Sequence, residues 1–217
     1  MALMAKSDGE GKHFDPVPEG PHIAVCYLVA DLGTHHDDRY DKDTHRVLIG
    51  WEIPDERITI TRDGEELDLP RVISQRYTLS LHEKANLRKD LEAWRGKRFT
   101  DKELGGFDLQ QVLEVGCQLQ VIHTQKEEKT YANIGALMAL PKGVKTPKTE
   151  NEPLWFSFQE STVEDIGIPE GMHDWIVNII KDSQEYEALT SGAYSEQGPP
   201  EVDDDIPMGD VSEDLPF

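Results

Sequence analysis

The chain has 217 residues, of which 37% are hydrophobic, and a net charge of −21. This length accommodates one ordinary domain with appendages or two small domains. No apolar run approaches the roughly 20 residues of a membrane-spanning helix, and the N-terminal residues contain no signal-peptide apolar core, so we expect no interaction with a membrane. Cys26 and Cys117 have no metal-ligand or redox spacing, and we expect two buried thiols in a cytoplasmic protein.

The charge is distributed in three blocks. Residues 71–149 contain 14 basic and 9 acidic residues, a net charge of +5, whereas residues 1–70 carry −9 and residues 150–217 carry −17. Because salt screens charges beyond about 10 Å, a ligand responds to the local block rather than to the total charge. The middle block can therefore attract an anion.

Alternating apolar residues predict three strands in the first half of the chain. After a polar N-terminus, predicted to be disordered over residues 1–15, they are Ile23–Leu32, Arg46–Ile53 and Arg71–Leu79. Pro54 is expected to end the second strand. Asp63 and Gly64 predict a turn before the third strand.

A helix is predicted directly after the third strand. Ser80 and Glu83 have the spacing of a capping box, and Leu87, Leu91 and Trp94 form one apolar face. Gly96 is expected to end the helix.

The second half of the chain predicts a hairpin and further helical turns. Thr100 with Glu103, and Asp108 with Gln111, repeat the capping-box spacing before Gly116. The later predicted elements are two hairpin strands at Gln118–Thr124 and Thr130–Leu140, a short strand at Leu154–Phe158 and a helical stretch at 168–189.

The order of three strands, a helix and two strands is that of the OB-fold, a mainly β, five-stranded Greek-key barrel with a helix between strands 3 and 4. We predict this barrel over residues 16–160, a C-terminal helical extension over 161–190, and a disordered acidic tail over 191–217. Another α+β domain of similar content is the competing prediction.

No catalytic site is predicted. A polar loop contains candidate metal ligands, namely His35, His36, Asp37, Asp38, Asp41, Asp43 and His45, but it lacks the pattern of a known metal site and is interpreted as a solvated loop. The chain has no phosphate-binding loop, nucleophile elbow or dinucleotide motif. We therefore expect no enzyme activity, no cofactor and no metal, and a metal-dependent nuclease that uses Asp37–Asp43 is the weakest alternative.

Binding of single-stranded nucleic acid has more support, because it needs cations along the backbone and aromatic faces for the bases. The candidate residues come from the basic middle block and its borders: Trp51, Arg71, Arg76, Tyr77, Lys84, Arg88, Lys97, Arg98, Phe99, Lys126, Lys129, Tyr131, Lys142 and Lys145. On an OB-fold the binding surface is the face of strands 2 and 3 with the loops between strands 1 and 2 and strands 4 and 5. Trp51 and Tyr77 alternate in phase with apolar residues, so burial in the core is an equal alternative for them.

The C-terminus combines acidic residues with an apolar tip, which is typical of a peptide end captured by a partner protein. Asp203, Asp204 and Asp205, and the terminal Asp214-Leu215-Pro216-Phe217, resemble the acidic tip of bacterial single-stranded DNA-binding proteins. The block from Ile73 to Thr100 resembles phage proteins, some of which are OB-fold binders of single strands. The resemblance implies a phage-type single-stranded DNA-binding protein that recruits replication, recombination and repair proteins through its tip, in the cytoplasm of a bacterial host.

The body of the chain departs from the bacterial proteins, with a shorter linker and a longer domain, so their base-stacking residues cannot be assigned here. The flexible tail could also compete with DNA for the basic groove. An acidic adaptor that never binds DNA is the alternative from another class, and a homo-oligomer is left open.

Overall fold

Five long strands form one curled antiparallel sheet. The computed structural model describes residues 15–62, 64–127 and 129–191, so the expectations for residues 1–14 and for the tail from residue 192 lie outside the described residues. The strands are β1 Gly20–Asp37, β2 Lys42–Arg62, β3 Glu65–Thr78, β4 Gly116–Lys126 and β5 Lys129–Met138. Their order is β3-β2-β1-β4-β5, and a short β6, Leu154–Phe156, pairs in parallel with β1. The prediction of a mainly β protein is confirmed.

The strands extend beyond the predicted ranges. β1 and β2 continue as a ladder through His35–Asp37 and Lys42–His45, because backbone pairing does not need apolar side chains. The prediction that Pro54 ends β2 was wrong. Pro54 lies in a register shift between Ile53 and Arg57, and such an irregularity tolerates a residue that lacks an N–H group.

The helix between β3 and β4 is present, but its predicted cap is not. Helix α1 spans Asn86–Arg95 and begins after Ala85 without a side-chain cap. Ser80 Oγ instead accepts a hydrogen bond from the backbone N–H of His82 at 3.1 Å, within a turn that packs Leu81 against the core. Burial of this turn outweighs the local capping signal. Gly96 does end the helix, in the left-handed conformation with φ 65°.

The remaining helices are short. α2, Asp101–Leu104, has the predicted capping box of Thr100 and Glu103. Single 3-10 turns lie at Leu109–Val112 and Phe158–Glu160. The predicted C-terminal helical stretch forms two helices, α3 Asp174–Lys181 and α4 Gln184–Ser191. None of the helices in the described ranges is both long and apolar enough to cross a membrane.

Two apolar cores lie on opposite faces of the sheet. Inside the curl, Trp51, Ile73 and Tyr77 pack against Leu91 and Trp94 of α1. On the outer side of β1 and β2, Leu28 and Leu48 pack against β6, α3 and α4 through residues that include Phe156, Ile176, Ile180 and Leu189. Both faces of β1 are therefore buried, which explains its long apolar run.

Candidate nucleic-acid interface

Three of the four aromatic residues predicted to stack on bases belong to the core. Trp51 is fully buried and its ring centroid lies 5.7 Å from that of Trp94. Tyr77 is buried and donates a hydrogen bond to Asp90 Oδ2 at 2.9 Å. Phe99 is buried beneath the Arg95 guanidinium, 4.4 Å from the ring centroid. These rings have no open face for a base, and the stacking role is corrected to a structural one.

Four of the predicted cations do not converge on one groove. Arg71 donates to the carbonyl oxygens of Arg57 and Asp15, and Arg76 lies on the opposite face of β3, paired with Leu48 of β2. Arg88 donates to the carbonyl of Leu81 at 3.2 Å and to Glu92. Lys97, beyond the end of α1, lies 3.8 Å from a carboxylate oxygen of Glu103.

The outer face of β1 and β2 is covered by residues 150–191, here called the C-terminal layer. The Glu52 carboxylate, which points to this face and is fully buried, accepts hydrogen bonds from the backbone N–H groups of Glu150 and Asn151, both at 2.8 Å. At the other end of the layer, Glu185 of α4 accepts hydrogen bonds from the N–H and hydroxyl of Thr34, both at 2.6 Å. This part of the sheet is not open to a nucleic acid.

The turn between β1 and β2 is acidic. The His36 ring lies 3.0 Å from Asp43, 3.5 Å from Asp41 and 3.7 Å from Asp38. The hydrogen bond to Asp43 is the main cause that raises the pKa of His36. Among the described residues, no group of three or more His, Cys, Asp or Glu side chains is arranged to hold a metal ion.

An open polar surface lies instead on the outer side of β4 and β5. Leu119 and Val121 point into the core, so the alternate residues point outward, since paired residues of antiparallel strands share a face. The outward pairs are Gln118 with Met138, Gln120 with Ala136, Ile122 with Asn133, and Thr124 with Tyr131. We call these eight residues the β4–β5 face. The face extends from Gln118 to Thr124 along β4, a length of about 20 Å.

None of the eight residues of the β4–β5 face is acidic, although Glu19, which precedes β1, accepts a hydrogen bond from the N–H of His123 on β4 at 2.7 Å. From Val115 to Thr149, the sequence contains five lysines and only two acids, Glu127 and Glu128. Lys126 and Lys129 flank the hairpin turn at one end of the face. Lys142, Lys145 and Lys148 are exposed in the segment that follows β5 at the other end.

The end of α1 adds charge at the same side. The backbone N–H of Ala139 donates to the carbonyl of Ala93 at 3.2 Å, which places the chain after β5 beside the end of α1. Arg98, three residues beyond α1, is exposed. Lys84 is also exposed, but it lies in the turn before α1.

Tyr131 is the one residue of the predicted aromatic set on this face, and it is half-buried. Ile122, one pair further along the ladder, exposes 41% of its surface, and Met138 at the other end of the face exposes 38%. The sequence interpretation missed the neutral polar residues Gln118, Gln120, Thr124 and Asn133, because they carry no charge and are not aromatic. The absence of acids from the two strands of the hairpin, outside Glu127 and Glu128 of its turn, was the signal that could have found them.

Comparison with protein-family models, with curated proteins and with solved structures gave no match to this chain. The functional argument therefore rests on the sequence and on the geometry of the β4–β5 face.

Proposed function

We propose that the protein is a non-enzymatic, sequence-tolerant binder of single-stranded DNA in replication or recombination, and that its barrel is an OB-fold. The strand order β3-β2-β1-β4-β5, with α1 between β3 and β4, supports this fold assignment. The long β1 pairs with both β2 and β4 and so joins the two halves of the curled sheet.

The observation that carries the proposal is the β4–β5 face, whose eight residues include no acid, with lysines beyond both of its ends. A polyanion is repelled by most of a surface with a net charge of −21. The sequence has no acid from Gly116 to Lys126 or from Lys129 to Thr149, and Glu19 borders the face through its hydrogen bond to the N–H of His123. Phosphates would contact the terminal lysines, bases would contact the neutral polar residues between them, and Tyr131 would stack on one base.

The acidic tip supplies the second half of the proposal. Asp203, Asp204, Asp205 and Asp214 with Leu215, Pro216 and Phe217 would recruit partner proteins of replication, recombination and repair. An apolar end flanked by acids fits an apolar pocket rimmed by cations.

Fluorescence anisotropy of a labelled oligo-dT and of its duplex, at two salt concentrations, tests the binding function in the full-length protein. We expect the protein to prefer the single strand and its affinity to fall steeply with salt. The slope of log K against the logarithm of the salt concentration should be about −0.7 for each phosphate contact. Replacing Lys142 and Lys145 by Gln should therefore reduce the slope by about 1.4. The matched control replaces Lys89 and Lys102, which are exposed on α1 and α2, and should leave the slope unchanged.

An acidic adaptor that does not bind DNA is the second candidate. The dispersal of Arg71, Arg76, Arg88 and Lys97 over different parts of the surface favours it. It predicts capture of partner proteins that depends on Phe217, together with no binding of oligo-dT at low salt even after removal of residues 201–217.

A further inference from the structure

A pocket of about 360 Å³ opens at the end of the β4–β5 face, between β1 and the lysine-containing segment after β5. Its lining consists of Val25, Glu114, Pro147, Lys148 and Thr149. This volume is at the lower end of the range of small-molecule pockets, about 300–1,000 Å³. The pocket thus has room for a small planar group.

The pocket lies on the same side of the sheet as the β4–β5 face. Val25 pairs with Gly116, and the next pair but one in the same ladder, Ile23 with Gln118, belongs to the outer side of the sheet. A side chain at Gly116 would lie 2.9 Å from the hydroxyl of Thr146, so the segment that closes the pocket rests directly on the start of β4. Leu140 and Thr146 cover the start of β4 between the face and the pocket, so a strand bound on the face would cross this segment to place a base in the pocket.

The wall that carries Glu114 is rigid. Glu114 has φ 60°, a left-handed conformation that a non-glycine residue seldom adopts. Its N–H donates to the carbonyl of Cys26 at 2.8 Å, and the N–H of Cys26 donates to the carbonyl of Val115 at 3.1 Å. Trp94 Nε1 donates to the carbonyl of Gly116 at 3.0 Å. The base of the Glu114 side chain is therefore held in place before any ligand arrives.

The lining has the chemistry to bind a nucleobase. Val25 and Pro147 are apolar, and Lys148 supplies an exposed ammonium group for a phosphate. The Glu114 carboxylate is exposed and makes no hydrogen bond or ion pair to any other described residue. A carboxylate accepts hydrogen bonds and cannot donate them, so it pairs with the exocyclic amino group of cytosine and is repelled by a keto oxygen at the same position.

We propose that this pocket holds one base of the bound strand, and that Glu114 selects a base with an exocyclic amino group. This inference rests on the proposed single-strand binding and adds a base preference to it. Cytosine is the best-matched pyrimidine, since uracil presents a keto oxygen where cytosine presents its amino group.

The test compares oligo-deoxycytidine with oligo-deoxyuridine of the same length, by fluorescence anisotropy with the full-length protein at low salt. The two ligands differ at the position that Glu114 would read. We expect about tenfold tighter binding of the cytidine oligonucleotide, the effect of one charge-assisted hydrogen bond. In Glu114→Gln the preference should fall to about twofold or less, because an amide can donate as well as accept.

Glu127→Gln is the matched control. Glu127 is also an exposed glutamate with positive φ, 55°, but it lies at the opposite end of the β4–β5 face. The Glu127→Gln variant should keep the tenfold preference for the cytidine oligonucleotide. Equal affinity of the wild-type protein for the two oligonucleotides, or an equal change in both variants, would refute base selection in the pocket. It would not refute single-strand binding. Failure of both oligonucleotides to bind would overturn the proposed function as well.

Discussion

Asn151 is tied to Glu52 by two hydrogen bonds that end on the same carboxylate oxygen. Glu52 Oε2 accepts one from the backbone N–H of Asn151 at 2.8 Å and one from its side-chain amide at 2.7 Å. Glu52 lies on β2, so this pair fastens the start of the C-terminal layer to the middle of the sheet.

Glu52→Gln should destabilise the protein by about 2–3 kcal/mol. The substitution replaces an acceptor oxygen by a donor that faces other N–H groups, and a buried unsatisfied donor has a cost of this order. Urea unfolding measures the change. Glu66→Gln, an exposed position on β3, should stay within about 0.5 kcal/mol. A similar small effect at Glu52 would contradict the anchoring role.

Gly33→Ala should be more damaging than Gly64→Ala, although both glycines have positive φ, 75° and 87°. A side chain at Gly33 would lie 2.5 Å from Ser183 Cβ of the C-terminal layer, whereas nothing lies within 4 Å at Gly64. The conformational strain is about 1 kcal/mol in both variants, and the clash should raise the loss at Gly33 to about 3 kcal/mol. Thermal unfolding of both variants measures the two losses of stability. Equal losses would show that the C-terminal layer moves to accommodate the added methyl group at little cost.

His45 makes the stability of the C-terminal layer dependent on pH. Its Nε2 lies 2.7 Å from Asp31 of β1, and its Nδ1 lies 3.5 Å from Glu185 of α4 and 3.4 Å from the hydroxyl of Thr34. Burial alone would lower the pKa of His45, but the hydrogen bond to Asp31 and the charges of Asp31 and Glu185 raise it above the usual 6.5.

A raised pKa means that the folded state binds the proton more tightly than the unfolded state. The stabilisation should be complete below about pH 6.5 and should be lost as the pH rises through the raised pKa. His45→Gln should cost about 1–3 kcal/mol at pH 6 and progressively less at alkaline pH. Urea unfolding of both proteins from pH 6 to pH 9 measures this difference, and a constant gap over the range would refute it.

Tyr131→Ala should weaken the binding of oligo-dT by about 1–3 kcal/mol, the value of one stacked base. Stacking does not depend on counterions, so the loss should be the same at both salt concentrations. Tyr40→Ala serves as the control, because Tyr40 is 44% exposed in the acidic turn between β1 and β2. Equal effects of the two substitutions would show that Tyr131 does not stack on a base of the bound strand.

The sequence predicts the elements of this protein better than their contacts. The apolar face of Leu87, Leu91 and Trp94 is buried as expected, because helix periodicity reports burial directly. The capping box at Ser80 failed because capping, which contributes about 0.5–2 kcal/mol, does not outweigh the packing of this turn with Leu81 against the core.

The candidate site was harder to predict because it depends on which face of the sheet is covered. The pattern around Trp51 and Tyr77 identifies apolar positions but does not distinguish a core from a stacking surface. The covering of the outer face involves partners such as Thr34 and Glu185, which are 151 residues apart in the sequence. No local pattern can report contacts of that separation.

The separation of these partners in the sequence also determines when, during synthesis, the outer face of the sheet can be covered. β1 is made early, yet one of its faces stays uncovered until α4 has been translated, since Leu189 belongs to the same buried cluster as Leu28. The ribosome adds about 5–20 residues per second, so the nascent sheet exposes its outer apolar face for about 10 seconds or more. A chain that terminates before α3 would leave the outer apolar face of the sheet exposed to solvent. Chaperones and proteases would then bind it.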